Sequence, residues 1–161
     1  MMNLFKKVFL FILCVFLSAC STKTQINPKS TFVVLKTPQI KFSDYGFLYR
    51  RDKMTILELY NASKPIFELK IMDKICINGV CYTKQNFNKK FFNYEHYNDF
   101  VQDLINKKQI YQGKNAILTS CGFNQELISK NYNIFYEVCG ENMNFTDRQS
   151  KIKFSITDIG N

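Results

Sequence analysis

The chain has 161 residues, 22 Lys and Arg against 13 Asp and Glu, a formal net charge of +9, one histidine and no tryptophan. That length suits one domain, and a single histidine means that any Ser-His-Asp or Cys-His arrangement must pass through it. Lys, Asn, Ile, Phe and Tyr crowd the sequence, so the positive charge is read first as composition and only second as a binding signal.

The chain opens on a short basic segment, MMNLFKK, runs through an apolar stretch from Val8 to Leu17 and reaches Leu17-Ser18-Ala19-Cys20 before turning polar. This is the layout of a bacterial export signal; the stretch is shorter than the about 20 residues a membrane span wants. Leu17-Ser18-Ala19-Cys20 resembles the lipobox of bacterial lipoproteins, in which an aliphatic and two small residues precede the cysteine that becomes the first residue of the mature chain. The resemblance is confined to the N-terminus. It implies that residues 1–19 are a signal peptide that is removed, and that Cys20 carries a thioether-linked diacylglycerol plus an N-acyl chain such as palmitate. Several acyl chains anchor stably where one is marginal. Ser21, in place of Asp, implies by the better-known sorting rule delivery to the outer membrane, with the protein facing the periplasm. Loss of Lys6 and Lys7 with the signal takes the charge from +9 to +7.

Residues 20–30, the cysteine and STKTQINPKS, read as a flexible tether because they are polar, carry Pro28 and lack apolar periodicity. Residues 31–161 are then a single globular domain. Strand patterns dominate its first half: TFVVL at 31–35, QIKF at 39–42, MTILELY at 54–60 and IFELKIM at 66–72, with a turn expected around Gly46. In the last of these, Phe67, Leu69 and Ile71 alternate with Glu68 and Lys70, the mark of a strand with one buried face.

The middle turns helical. Tyr97, Phe100, Val101, Leu104 and Ile105 follow the helical repeat and predict a helix from about Tyr94 to Lys108, with Asn93 as N-cap. A shorter helix is predicted over Lys84 to Phe92, capped by Thr83 and burying Phe87 and Phe91. Alternation returns in YNIFYEVC at 132–139 and KIKFSITDI at 151–159, with turns between them. The expected fold class is therefore α+β: a largely antiparallel sheet with one or two helices packed on one face, and two disulfides.

The domain keeps Cys76, Cys81, Cys121 and Cys139. In CINGVC, Asn78-Gly79 is a strong hairpin signal, and a two-residue turn there puts Cys76 opposite Cys81 at a non-hydrogen-bonded position. Pairing of 76 with 81 leaves 121 with 139. The spacings suit neither a zinc ribbon nor a Cys-x-x-Cys redox motif, and an exported chain meets oxidising conditions, so structural disulfides are expected. The 76–81 pair shares a face with Lys74 and Thr83, away from the main core.

Catalytic chemistry finds little support. His96 falls in the first turn of the longer predicted helix, facing solvent, and no phosphate loop, His-Glu-x-x-His motif or Gly-x-Ser-x-Gly elbow is present. No metal or other cofactor is implied. Arg50, Arg51 and Lys53 beside Tyr49 form a candidate surface for an anion or a partner. The expectation is a small lipid-anchored envelope lipoprotein, not an enzyme, that acts as a binding or scaffold module with a protein partner in an outer-membrane or periplasmic assembly. Its other partner is the membrane, through the anchor; nucleic acid is not expected. The alternative is a lipoprotein that binds a lipid or glycan in a pocket between sheet and helix.

Overall fold

Apolar and polar side chains alternate through most of the chain, and each alternating stretch becomes a strand with one buried face. The computed structural model describes residues 28–51 and 53–160. The lipobox, Cys20 and most of the expected tether lie outside the described residues.

The first six strands are β1 (Lys29–Lys36), β2 (Lys41–Arg51), β3 (Met54–Asn61), β4 (Lys64–Ile71), β5 (Ile75–Ile77) and β6 (Val80–Tyr82). A connector follows, holding helices α1 (Lys84–Phe91) and α2 (Phe100–Ile105) and a short 3-10 turn at Tyr111–Gly113. The chain then lays down β7 (Ala116–Thr119), β8 (Gly122–Ile128), β9 (Asn133–Cys139), β10 (Asn142–Asp147) and β11 (Ile152–Asp158). Every pairing is antiparallel, and the strands form one sheet in the order β6-β5-β4-β3-β2-β1-β11-β10-β9-β8-β7. Two meanders thus meet where β1 pairs with β11.

The sheet curls around its own connector. Gln102 Nε2 donates to Thr55 Oγ1 of β3 at 2.7 Å, and Ile110 N donates to Gln125 Oε1 of β8 at 2.9 Å. β3 and β8 stand six places apart in the sheet order, about 29 Å on a flat sheet at about 4.8 Å per strand. Eight residues separate Gln102 from Ile110, and a partly helical stretch of that length spans far less than its fully extended reach of about 27 Å. The strands must therefore bend toward the helices. The inner face carries the core: Val33, Leu48, Leu57, Tyr136, Phe145 and Phe154 meet Phe87, Phe91, Phe100 and Leu104 of the helices.

The helices are minor elements, so the chain is closer to mostly-β than to α+β. The predicted helix over Tyr94–Lys108 shrinks to Phe100–Ile105. Asn88 Nδ2 takes the carbonyls of His96 and Tyr97, which holds residues 94–99 out of the helix. Asn93 is left-handed at φ 58° rather than an N-cap. The apolar pattern still marks the buried side chains, since Phe100, Val101, Leu104 and Ile105 are at most 1 % exposed. The shorter helix forms where expected, with the Thr83 side chain accepting from Asn86 N and with Phe87 and Phe91 buried.

Gly46 lies inside β2, not in a turn. A Cβ there would come within 2.0 Å of the Glu58 carbonyl oxygen, so the glycine lets β3 approach. Three strands had no sequence expectation: β7, β8 and β10. The hairpin β5–β6 has the expected register, Ile77 opposite Val80 and Cys76 opposite Cys81, with Asn78 at φ 48° and Gly79 at φ 82°.

Candidate functional site

The four cysteines of the domain pair as Cys76–Cys81 and Cys121–Cys139. Both bridges tie neighbouring strands, the first across the β5–β6 hairpin and the second at the β8–β9 end of the sheet. Cys76 sits opposite Lys70, on the face of the sheet turned away from the helices; it is 5 % exposed and Cys81 is exposed. Neither bridge has a titratable group bonded to its sulfurs among the described residues, which leaves stapling as its visible role.

Arg50, Arg51 and Lys53 surround the β2–β3 turn, but they do not converge on one point. The Arg50 guanidinium donates to the Ile105 carbonyl at 3.0 Å and to Asn106 Oδ1 at 3.2 Å, satisfying the C-terminal end of α2. Tyr49 lies on the other side of the strand, and burial together with the Glu58 carboxylate raises its pKa. The groove of about 700 Å³ next to Arg50, Arg51 and Lys53 is also lined by Asp73, Asp99 and Asp103. Its mixed signs make it a poor match for a dedicated anion site.

His96 is not a solvated helix residue. The loop that replaces the first turns of the predicted helix turns its ring inward, where it is 2 % exposed and stacks on Phe100 with centroids 3.9 Å apart. Nδ1 lies 2.6 Å from the Tyr111 hydroxyl, and Nε2 has no hydrogen-bond partner among the described residues. Burial lowers its pKa to about 4, partly opposed by the Asp147 carboxylate. Asp147 is itself buried; Oδ1 accepts from the backbone N–H groups of Asn133 and Gln149. Tyr94 and Tyr132 close over the imidazole. Among the described residues no serine or cysteine is hydrogen-bonded to it, and the buried ring packs the loop.

A second feature lies between sheet and helices. Leu35, Phe67, Leu69, Ile77 and Phe154 of the sheet face Phe87, Phe91 and Phe92 of the α1 region across a cavity of about 20 Å³. Thr37 supplies the only hydroxyl of its lining, and Ile40, in the β1–β2 turn, forms part of its wall. An apolar space of this size stays dry.

The hold on α1 is uneven. Its polar bonds run mostly to the next stretch of connector: Asn88 to the His96 and Tyr97 carbonyls, and Lys84 to Asp99 at 2.7 Å. Among the described residues its one side-chain hydrogen bond to the sheet is Lys90 Nζ to Tyr82 Oη. Its phenylalanines therefore hold it against the strands by packing alone. Sequence patterning marked Phe87 and Phe91 as buried but gave no sign that they wall a cavity, because that depends on the curl of the sheet.

Among the described residues, no group of three or more His, Cys, Asp or Glu side chains is placed to hold a metal, and no helix is long and apolar enough to cross a membrane. Comparison with protein-family models and with curated proteins finds no match to the chain.

Proposed function

We propose that this chain is a lipid-anchored, non-catalytic binding protein of the bacterial cell envelope, attached through Cys20 to the outer membrane and facing the periplasm. Its ligand is the apolar chain of a lipid, taken between the curled sheet and α1. The observation that carries this reading is the apolar cavity beneath a helix whose one side-chain hydrogen bond to the sheet, among the described residues, is Lys90 to Tyr82. At about 20 Å³ it has room for roughly one water-sized group, so Phe87, Phe91 and Phe92 occupy the volume a chain would take. Uptake requires α1 to lift, exchanging one set of apolar contacts for another at little net cost in buried area.

The test is lipid extraction from the mature protein purified in a neutral detergent, compared with a Leu69→Phe variant whose larger side chain fills the cavity. The expected result is near-stoichiometric lipid on the parent and its loss from a variant that keeps the parent's circular dichroism. Purified parent protein that carries no lipid, and takes none up from vesicles, refutes ligand binding. Mass analysis of the N-terminal peptide separately reports whether Cys20 is acylated.

A scaffold reading has its own support. Among the described residues the outer edge of β7 is unpaired, and Ile117, Leu118 and Ile128 beside it are 65 %, 79 % and 76 % exposed. An apolar edge strand of this kind is a place where a partner's strand can add. In-cell crosslinking from Leu118 that recovers one envelope protein reproducibly favours the scaffold.

A further inference from the structure

We infer that β7 is the contact edge of a homodimer: two copies of this chain join their β7 strands antiparallel, about a twofold axis that passes between the two Ile117 residues. This names the occupant of the edge on which the scaffold reading rests, and it is independent of the lipid cavity.

The free backbone groups of the edge follow from its register. Thr119 pairs with Gly122 across the two-residue turn Ser120-Cys121, which makes them the hydrogen-bonded pair that closes the hairpin. Ile117 opposite Asn124 is the next hydrogen-bonded pair, so the N–H and C=O groups of Ile117 and Thr119 bond to β8. Those of Ala116 and Leu118 point the other way, off the sheet. Asn115, at φ 56°, ends the strand. An antiparallel copy satisfies every outward group when Ala116 of each chain lies opposite Leu118 of the other. Ile117 then faces its own counterpart as a non-hydrogen-bonded pair on the outer face, with Cα atoms about 4.5 Å apart. The small Ala116 opposite Leu118 leaves room for the leucine side chain.

Charge selects a second copy as the occupant. The chain carries a formal net charge of +9, so two copies repel unless they meet on a neutral surface. Lys114 and Glu126 bound eleven residues, Asn115 to Gln125, without an acidic, basic or histidine side chain, and these hold β7 and its hairpin turn. In the twofold register Lys114 falls opposite Ser120 of the other copy, so no like charges face each other along the contact. Edge strands are commonly blunted by charged side chains; β7 has none, and Ile117 and Leu118 stay 65 % and 79 % exposed. The other edge is guarded, since β6 runs directly into α1 and Lys90 Nζ lies 4.7 Å from the Tyr82 ring centroid. Four residues of edge bury less than the about 800 Å² per partner of a standard interface, so the dimer comes apart on dilution.

The experiment places one cysteine at a time in the full chain, oxidises intact cells mildly and maps the disulfides by non-reducing peptide analysis. Ile117→Cys should yield a dimer linked at position 117, because the Cα separation there lies inside the range of a disulfide. Asn124→Cys and Thr119→Cys, each about 14 Å from its counterpart in this arrangement, should yield about tenfold less. Adding Leu118→Pro removes an outward N–H without touching the bonds to β8, and should lower the Ile117→Cys dimer about tenfold with the Cys121–Cys139 bridge intact. A second measurement needs no new thiol. Sedimentation of the mature protein at about 100 μM in excess neutral micelles should give a dimer for the parent and a monomer for Ile117→Lys, which sets like charges face to face. Equal trapping at positions 117, 119 and 124 overturns the inference, as does a parent that sediments as a monomer or a Leu118→Pro change that leaves trapping unaltered. Crosslinking from Leu118 that recovers a different envelope protein, with no dimer linked at position 117, overturns the homodimer and leaves edge pairing itself standing. Absence of any product from either position removes both.

Discussion

Acid should weaken this protein through one residue. His96 titrates near 6.5 in an unfolded chain and at about 4 in the folded one, because burial disfavours the imidazolium. The folded state thus binds fewer protons, and stability rises with pH wherever the two states differ. The contribution is complete above about pH 6.5, declines as the pH falls below it, and is exhausted near pH 4. At about 1.4 kcal/mol per pH unit, the full effect is about 3 kcal/mol, of which about 2 kcal/mol should already be lost by pH 5.

That window isolates the histidine. Hydrogen bonds from lysines hold the Glu141 carboxyl below its usual pKa, and Lys107 and Lys29 do the same for Asp158 against the opposing effect of burial. Both stay ionised above pH 5 in folded and unfolded chains, so their contributions are lost only at lower pH. Urea unfolding followed by circular dichroism at pH 7.5 and at pH 5 should therefore show a midpoint lower by about 1 M at pH 5, for a slope of about 2 kcal/mol per M. His96→Phe keeps a ring to stack on Phe100 and removes the titration, so its midpoint should barely change between the two conditions. Equal pH sensitivity in parent and variant would refute the reasoning, because the acid-labile group would then lie elsewhere.

Two further outcomes follow from the packing. Gly46→Ala forces a methyl against the Glu58 carbonyl, with 2.0 Å between the new carbon and that oxygen; thermal melts should show a loss of about 2–3 kcal/mol, and an unchanged melt would mean that β2 and β3 part easily. Lys107→Met leaves the Asp158 side chain, 2 % exposed, with only Lys29 at 3.1 Å. The expected loss in urea unfolding is about 2 kcal/mol, below the about 3–5 kcal/mol for a fully orphaned buried charge, and it should vanish in the double variant with Asp158→Asn.

Local patterning carried the sequence reading where one rule decided the structure. CINGVC forms its hairpin because a type I′ turn, which matches the strand twist, needs positive φ at both central residues, and Asn78-Gly79 suits both positions. Strands β3, β4, β9 and β11 were legible from alternation, since each buries one face against the same core. The misses have physical reasons. NMNFTD of β10 buries Met143, Phe145 and Asp147, and the acidic third member spoils the pattern; its Oδ1 is buried at the strand end because two backbone N–H groups claim it. Gln125 of β8 likewise hides a buried position behind a polar name, as it satisfies Ile110 and Lys114 of the connector. His96 was misplaced because the helical repeat through Phe100 and Leu104 was extended back over a loop that Asn88 holds open.

The placement of the cavity belongs to a different order of information. Leu35 and Phe154 line one space only because β1 lies beside β11, and that order is set by a pairing across more than a hundred residues of chain. The same pairing gives the domain a polarity. β1 begins at Lys29, where the chain arrives from Cys20, and ends at Lys36 beside the cavity wall. Its eight residues, at about 3.4 Å each, separate the two by roughly 24 Å. The lipid anchor proposed at Cys20 thus joins the sheet at one end, while the β1–β2 turn stands at the other.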